Sequence, residues 1–554
     1  MSGSFFGFNT AVTGLFTAQK HLDIINNNIN NINTPGYSRQ NATQIAAKPY
    51  LLPGIQGMIG TGSDITSINR VRDEYLDYKY WSENIAYGEC SAKMELLADL
   101  EVAFNEPSGS GFTTIMNEFF NALQELGKDP SGAPVRTLVQ QKGITLAKYF
   151  NSLEVHFEKL QADINQRVRI KVEEVNSLAM QIQQLNRQIY TAELNGSIAN
   201  DLRDRRTLLV DGLSKIVNIE ANEIITGKLS NGNPEKHFII TISGKALVNH
   251  FNISKLKLTR RDGDMRLNEE DIPDLYEISW EDGNEFIAKG GELKAYLDVR
   301  DGNDGMQGVD EKTKSPAFKG IPFYMRQINT FVRTFAMAFN EGYIDRNGDG
   351  VISPDEDGVG HADGYTLDSD GDGPIEPQKG IRFFTILGDG IIGDGGKPID
   401  SMSFISGADD IAGIADRYKK ITAKNFAISK DVLENYGNIA ASDAEGEMGN
   451  MKVLGELIKM RHNTGMFAEG APEDFMKSLV ATLGIDSQQA VRHSENRENI
   501  IKQIENRRLA DSGVSLDEEM ADMIRYQHSY NAAARMILTM TEIYDTLINR
   551  LGLK

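Results

Sequence analysis

The sequence predicts a multidomain, mainly α-helical chain with β-rich insertions, its terminal helices paired as a coiled coil beside a helical bundle stem and outward β domains. Three observations predict this. The chain has 554 residues, too many for one hydrophobic core at the usual domain size. Apolar residues recur in steps of three and four at both ends and along a central segment, the period of an α-helix. Short β-branched and aromatic runs bounded by turn residues interrupt that period in the middle of the chain.

Residues 1–45 read as the N-terminal half of a coiled-coil inner domain. Phe5, Phe8, Val12, Leu15, Ala18, Leu22, Ile25, Ile29 and Ile32 form a narrow seam suited to another helix. Between Met1 and Ser38 the formally charged side chains are Lys20 and Asp23 alone, so amides and hydroxyls stand where a solvated helix would carry ions. The stretch NNNINNINTPGYSRQ, residues 26–40, spends six asparagines on this face, although asparagine is a poor helix former. Amides donate and accept, so the expectation is that they are satisfied between many subunits and that the helix orders only on assembly. Pro35 then disfavours the helical region for Thr34, and Gly36 suits a turn with positive φ.

Residues 46–215 read as the first half of a helical stem. Its rod is marked by Leu153, Phe157, Leu160, Ile164, Val168, Val172, Val175, Leu178, Ile182, Leu185 and Ile189, one helical turn apart. The segment DLRDRRTLLVDGLSKIV folds back on it across ELNGSIAN. Residues 216–300 form a β-rich insertion with strands at HFIITIS, KLKLTRR and LYEISW, and 301–342 a helical return. Residues 343–420 form a second, β/loop insertion that includes IRFFTIL, and 421–510 return to the stem as its second half. Residues 511–554 supply the C-terminal half of the inner domain. This last helix opens with a capping box, Ser515 and Glu518. Its seam is Leu516, Met520, Met523, Tyr530, Ala534, Ile537, Tyr544, Ile548 and Leu551, with gaps at Gln527 and Thr541.

A net charge of -21 and a pI near 5.0 argue against nucleic acid or an anionic membrane as partner, because both call for clustered cations. Cys90 is the single cysteine, which excludes an intramolecular disulfide framework and any multi-cysteine metal site. No run approaches the roughly 18 apolar residues of a membrane span, and no basic stretch precedes the first apolar one. The expectation is a soluble chain that, if exported, leaves without a cleaved Sec-type signal.

Catalytic signatures are missing: there is no H-E-x-x-H, G-x-S-x-G or G-x-x-x-x-G-K-[ST], and the eight histidines are scattered. Gly388, Gly390 and Gly393 satisfy G-x-G-x-x-G, but DGGKPID follows and cannot open the helix a pyrophosphate would need. One motif carries chemistry. DRNGDGVISPDE, residues 345–356, matches a calcium-binding loop in full. Asp345, Asn347 and Asp349 would give side-chain oxygens, Val351 its carbonyl, Ser353 a direct or water-mediated contact and Glu356 the bidentate carboxylate. A weaker second loop offers Asp368, Asp370, Asp372 and Glu376, with Lys379 where the bidentate acid belongs. Calcium, as a staple rather than a signal, is the cofactor these loops imply.

NNNINNINTPGYSRQ resembles the N-terminal signature shared by bacterial flagellar rod, hook and hook-associated proteins, and the C-terminal segment resembles its paired partner. GYSRQ, NDLRDRRTLLVDGLSKIVNI at residues 200–219 and GGELKAYLDVRD at residues 290–301 are similar to internal motifs of the hook-associated protein 1 family, which hook and rod proteins lack. The resemblance implies a structural junction adaptor and no enzyme. It implies a ring of subunits on the hook tip, with hook protein and a second hook-filament junction protein as neighbours. It also implies export through the flagellar type III apparatus without signal cleavage, an extracellular location, and an export chaperone on the seam from Leu516 to Leu551. Two rivals stay open: a hook or distal-rod protein, and a calcium-dependent adhesin or hydrolase carried on the flagellum.

Overall fold

The computed structural model describes residues 6–51, 58–104, 111–228, 232, 234–261, 266–344, 358–367, 378–388, 396–408, 410–447, 449–546 and 548. The chain opens with α1 (Phe6–Asn30). It ends at Asn30, earlier than the expected stop at Pro35; turns follow, and Gly36 takes a φ of 77°, which reverses the chain just after Pro35. A ribbon follows, β1 (Gln40–Ala46) paired antiparallel with β4 (Ser63–Arg70), extended at its tip by β2 (Tyr50–Leu51) and β3 (Met58–Ile59). This corrects the expectation that helical stem begins at residue 46. Thr43, Ile45, Ile65, Thr66 and Ile68 favour extended backbone, and α1 covers one side, Thr17 Oγ1 donating to the Ser63 carbonyl at 3.2 Å.

The stem begins with α2 (Glu74–Phe104), α3 (Phe112–Lys128) and α4 (Ala133–Glu193), the last with a proline in its first turn. At 1.5 Å per residue the 61 residues of α4 span roughly 90 Å. Every position of the predicted stripe from Leu153 to Ile189 is buried or half-buried, so the helical period is a packing face. The helix starts some twenty residues earlier than that stripe because it also serves the α3 side, where Val139, Leu146 and Phe150 are buried. The predicted fold-back is α5 (Asn200–Ile216), seated on α2 and α4.

The first insertion is an antiparallel meander, β5 (Ile219–Lys228), β6 (Pro234–Ile242), β7 (Lys245–Asn249) and β8 (Asn252–Ile253), followed by the hairpin β9 (Leu256–Arg260) and β10 (Tyr276–Trp280). HFIITIS covers the second half of β6, and KLKLTRR and LYEISW contain β9 and β10. Two helices return the chain, α6 (Glu292–Asp301) and α7 (Ile321–Glu341).

Beyond them lies β11 (Phe384–Ile386), then α8 (Ser401–Ile405), α9 (Ile411–Tyr418), β12 (Phe426–Ile428), which pairs with β11, and α10 (Lys430–Glu434). IRFFTIL is therefore not an outward strand. Phe383 and Phe384 are fully buried beside Phe119, Phe339 and Phe426 in the aromatic core of the stem. The chain closes with α11 (Lys452–Lys459), α12 (Pro472–Ser512) and α13 (Leu516–Asp545). α12 runs antiparallel to α2, with Arg497 on Glu83 at 2.7 Å and Arg508 on Asp77 at 2.9 Å.

Candidate assembly site

The terminal helices lie against one another in opposite directions. Phe8 meets Tyr544 edge-on at 6.3 Å near one end, His21 stacks on Tyr526 at 4.0 Å in the middle, and Asn28 reaches Glu519 at 3.1 Å at the other end. On α1, Ile25 is buried, Phe8, Val12, Leu15, Leu22 and Ile29 are half-buried, and Ile32 is exposed. On α13, Met523, Tyr530, Ile537 and Tyr544 are half-buried as predicted. Leu516, Met520 and Ile548 are instead 46, 50 and 68% exposed. Phe5 and Leu551 lie outside the described residues.

The early part of the predicted seam therefore has the wrong phase, and the cause is electrostatic. α13 is turned so that Glu519, 1% exposed, faces inward to Arg39 Nε at 2.6 Å. Arg39 also takes Glu518 at 2.7 Å, and its backbone N–H donates to the Ser512 carbonyl at 2.8 Å. Glu518 thus serves Arg39 rather than the expected capping box; Ser515 is the N-cap residue without a side-chain capping bond. Spacing within one helix could not reveal a partner at the far end of the sequence.

The asparagines do much of their work inside the chain. Asn28 Oδ1 accepts from the Gln40 N–H at 3.0 Å and the Tyr37 hydroxyl at 2.8 Å, while Nδ2 donates to the Gln40 carbonyl at 3.0 Å and to Glu519. Asn27 Nδ2 donates to the Tyr37 hydroxyl, and Asn31 Nδ2 to the Asn27 carbonyl at 2.9 Å. Burial, with Asp201, Asp204 and Glu519 nearby, pushes the Tyr37 phenol well up, so it stays a donor. The expectation that these amides wait for other subunits is corrected for Asn27, Asn28 and Asn31. Asn26, Asn30 and Asn33 are exposed.

Immediately after the turn, the chain enters an ionic joint between terminal helices and stem. Ser38 donates to Asp204 from its N–H at 2.9 Å and its hydroxyl at 2.8 Å, and Arg70 reaches the same carboxylate at 2.9 Å. Arg72 holds Asp77 bidentately at 2.7 and 2.8 Å, and Arg508 bridges Asp77 and Asp211 at 2.9 and 3.0 Å. Burial raises the Asp211 carboxyl, against the pull of Arg508 and of the Trp81 Nε1 donor at 2.6 Å. GYSRQ and DLRD, quoted above as motifs, are here one structure: Ser38 binds the stem at Asp204, and Arg39 beside it binds α13 at Glu518 and Glu519. Sequence reading singled out both motifs without seeing that they touch.

Asp345, Asn347, Asp349, Val351, Ser353 and Glu356, and the second set Asp368, Asp370, Asp372 and Glu376, lie outside the described residues. Among the described residues no group of three His, Cys, Asp or Glu is placed to hold a metal ion, and no helix is long and apolar enough to cross a membrane. Cys90 is half-buried on α2, its thiol pushed up by burial.

Comparison with known proteins agrees with this architecture. The model of the flagellar hook-associated protein FlgK helical domain matches residues 97–348. The flagella basal body rod protein model matches residues 8–37, and the model of the flagellar basal body rod FlgEFG protein C-terminal region matches residues 505–551. Flagellar hook-associated protein 1 of Bacillus subtilis (strain 168) is 30% identical over 572 residues, covering 100% of this chain and 99% of the relative. Its counterpart in Escherichia coli (strain K12) is 24% identical, covering 98% and 99%. The flagellar hook junction protein FlgK from Burkholderia pseudomallei shares the fold, with a TM-score of 0.50 and 13% identity over 80% of this chain and 100% of that one. A match along the whole length, with rod-type ends and a hook-associated helical middle, places this chain in the flagellar hook-associated protein 1 family, structural proteins of the hook-filament junction.

Proposed function

We propose that the chain is an interface-matching adaptor: it assembles as a ring on the hook tip, contacts hook protein on one side and a second hook-filament junction protein on the other, and makes or breaks no bond. α1 and α13 form the coiled-coil inner domain, the stem makes the wall, and the β-rich insertion faces outward. The observation that carries this reading is the unfinished surface of α13. One side packs on α1, while Leu516, Met520, Ile524 and Leu538 on another side remain exposed. Leu516, Met520 and Ile524 stand one helical turn apart, with Leu538 beyond the exposed Gln527 and Asn531, and exposed apolar side chains grouped in this way mark a surface that a partner covers. The reading is tested in a strain lacking the chain. It should keep hooks and lose filaments, and filaments should return with the wild-type chain but not with a Met520→Glu, Leu538→Glu double variant. Filaments on the double-variant strain would count against α13 as the assembly surface.

The same surface suits an export chaperone, since it needs cover before assembly. Removal of residues 511–554 should abolish chaperone capture, and unchanged affinity would overturn that role. The family match sets aside the hook and distal-rod alternatives. The adhesin or hydrolase reading has no support from a nucleophile or general base in the sequence. Calcium remains a proposed staple at Asp345, Asn347, Asp349, Val351, Ser353 and Glu356. Titration calorimetry on the full chain should show uptake that Glu356→Gln reduces at least tenfold; no heat from the wild type would remove the claim.

A further inference from the structure

We propose that the cavity against the Arg136 guanidinium binds a single small inorganic anion of chloride size. Five arginines are buried among the described residues, and four of them pair with carboxylates: Arg203 with Glu193 and Glu223, Arg206 with Glu223, Arg300 with Asp301 and Arg382 with Glu341. Arg136, 1% exposed, has no carboxylate partner among the described residues. Its Nε donates to the Pro130 carbonyl at 2.7 Å and its Nη1 to the Gly437 and Ile439 carbonyls at 3.1 and 2.6 Å, while Nη2 has no partner among the described residues. Carbonyls offer only partial charge. A buried cation left with them alone keeps a desolvation cost that a counter-ion offsets.

The position of Arg136 adds to the demand for negative charge. It stands in the first turn of α4, where the unpaired backbone N–H groups of a helix favour an anion. Burial pulls its guanidinium down to about 10, with the Tyr436 phenol opposing, so it stays a cation at neutral pH.

The cavity has the size and a second donor for such a guest. It measures about 20 Å³ and is walled by Arg136, Tyr365, Thr366 and Ser442, which leaves room for one or two water-sized bodies. Thr366 is 6% exposed, and its hydroxyl accepts from the Gln378 N–H at 2.9 Å but donates to no described residue. Its proton is therefore free for an acceptor inside. Glu447 is the carboxylate on the cavity wall. It is exposed and accepts from Asn450 Nδ2 at 2.8 Å rather than from Arg136. Water in the cavity would satisfy the hydroxyl and leave the charge uncompensated, whereas an anion satisfies both. Bound there, it ties the start of α4 to the segments at residues 365–367 and 441–447.

Chloride is the probe, added to the full chain. The N–H groups of Tyr365 and Ala440 bond to Ser442 and His361 beside the cavity. Their exchange should slow about fivefold when about 0.3 M sodium gluconate is replaced by sodium chloride at equal ionic strength, with α13 unaffected. Chloride NMR line broadening that bromide reverses reads binding directly, and Arg136→Gln should abolish both effects. In Glu447→Gln the chloride effect should persist or grow. Unchanged exchange and no excess broadening in the wild-type chain would mean that the cavity holds water, and would overturn the proposal. It also falls if Glu447→Gln speeds exchange at Tyr365 and Ala440 equally in both salts, because Glu447 would then be the counter-ion. The wild-type readings decide the matter even if Arg136→Gln fails to fold.

Discussion

Asn28 shows how much one side chain can hold. Its amide closes four hydrogen bonds among α1, the turn, β1 and α13, and removal would leave the Gln40 N–H and a buried Glu519 short of partners. Asn28→Leu should cost about 1–3 kcal/mol of local stability, read as faster amide exchange at Gln40 and in the first turns of α13. Exchange rates equal to wild type would contradict the assignment. Glu154 illustrates the opposite case. Burial, followed by Glu158 and Glu270, pushes its carboxyl up to about 8, and Oε2 has no hydrogen-bond partner. A carboxyl raised on folding binds its proton more tightly in the folded state, so stability falls as pH rises from the ordinary range through 8. Glu154→Gln should then stabilise the chain by on the order of 1–3 kcal/mol at pH 8.5 and by little at pH 4.5, measured by urea unfolding. His361 runs the other way. It is fully buried, accepts from the Ala440 N–H through Nε2 at 2.9 Å, donates from Nδ1 to the Ile381 carbonyl at 2.7 Å, and burial lowers it to about 4. Its contribution is present above pH 6.5 and is lost as pH falls toward 4, so His361→Gln should flatten the acid limb of the stability profile. None of these environments was legible in sequence, because each depends on groups brought from distant segments.

At the scale of elements, period was the reliable guide. α4, α5, β6, β9 and β10 appear where helical or extended patterning placed them, since each buries a face that its own sequence writes, whereas β5, β7 and β8 were not singled out. The ribbon from β1 to β4 was missed because α1 completes its burial, and its own alternation is weak. The phase of α13 was misread for a related reason: apolar spacing points from Leu516, but Arg39 selects Glu519. Arg39→Ala should release that choice. Arg39 is partly exposed but Glu519 is buried and would lose its cation, so the cost is about 1–3 kcal/mol, at least roughly fivefold faster exchange in the first turns of α13 with the stem unchanged. No change in α13 would show that the apolar contacts alone set its rotation.

At the scale of the whole molecule, two antiparallel pairs, α1 with α13 and α2 with α12, bring the chain ends together, and the Asp77, Asp204 and Asp211 joint fixes the passage between them. The sequence already pointed to pairing of the ends, and the family motifs to a flagellar part. It could not show that the asparagines would be divided between work within the chain at Asn28 and an exposed face at Asn26, Asn30 and Asn33. In the proposed assembly, neighbouring copies finish the terminal pair. Amide hydrogen exchange over residues 516–546, compared between the soluble chain and isolated flagella, tests it most directly. Fast exchange is expected in the free chain, with protection increased at least a hundredfold on assembly. Equal protection in both states would mean that α1 alone completes α13, and would contradict it.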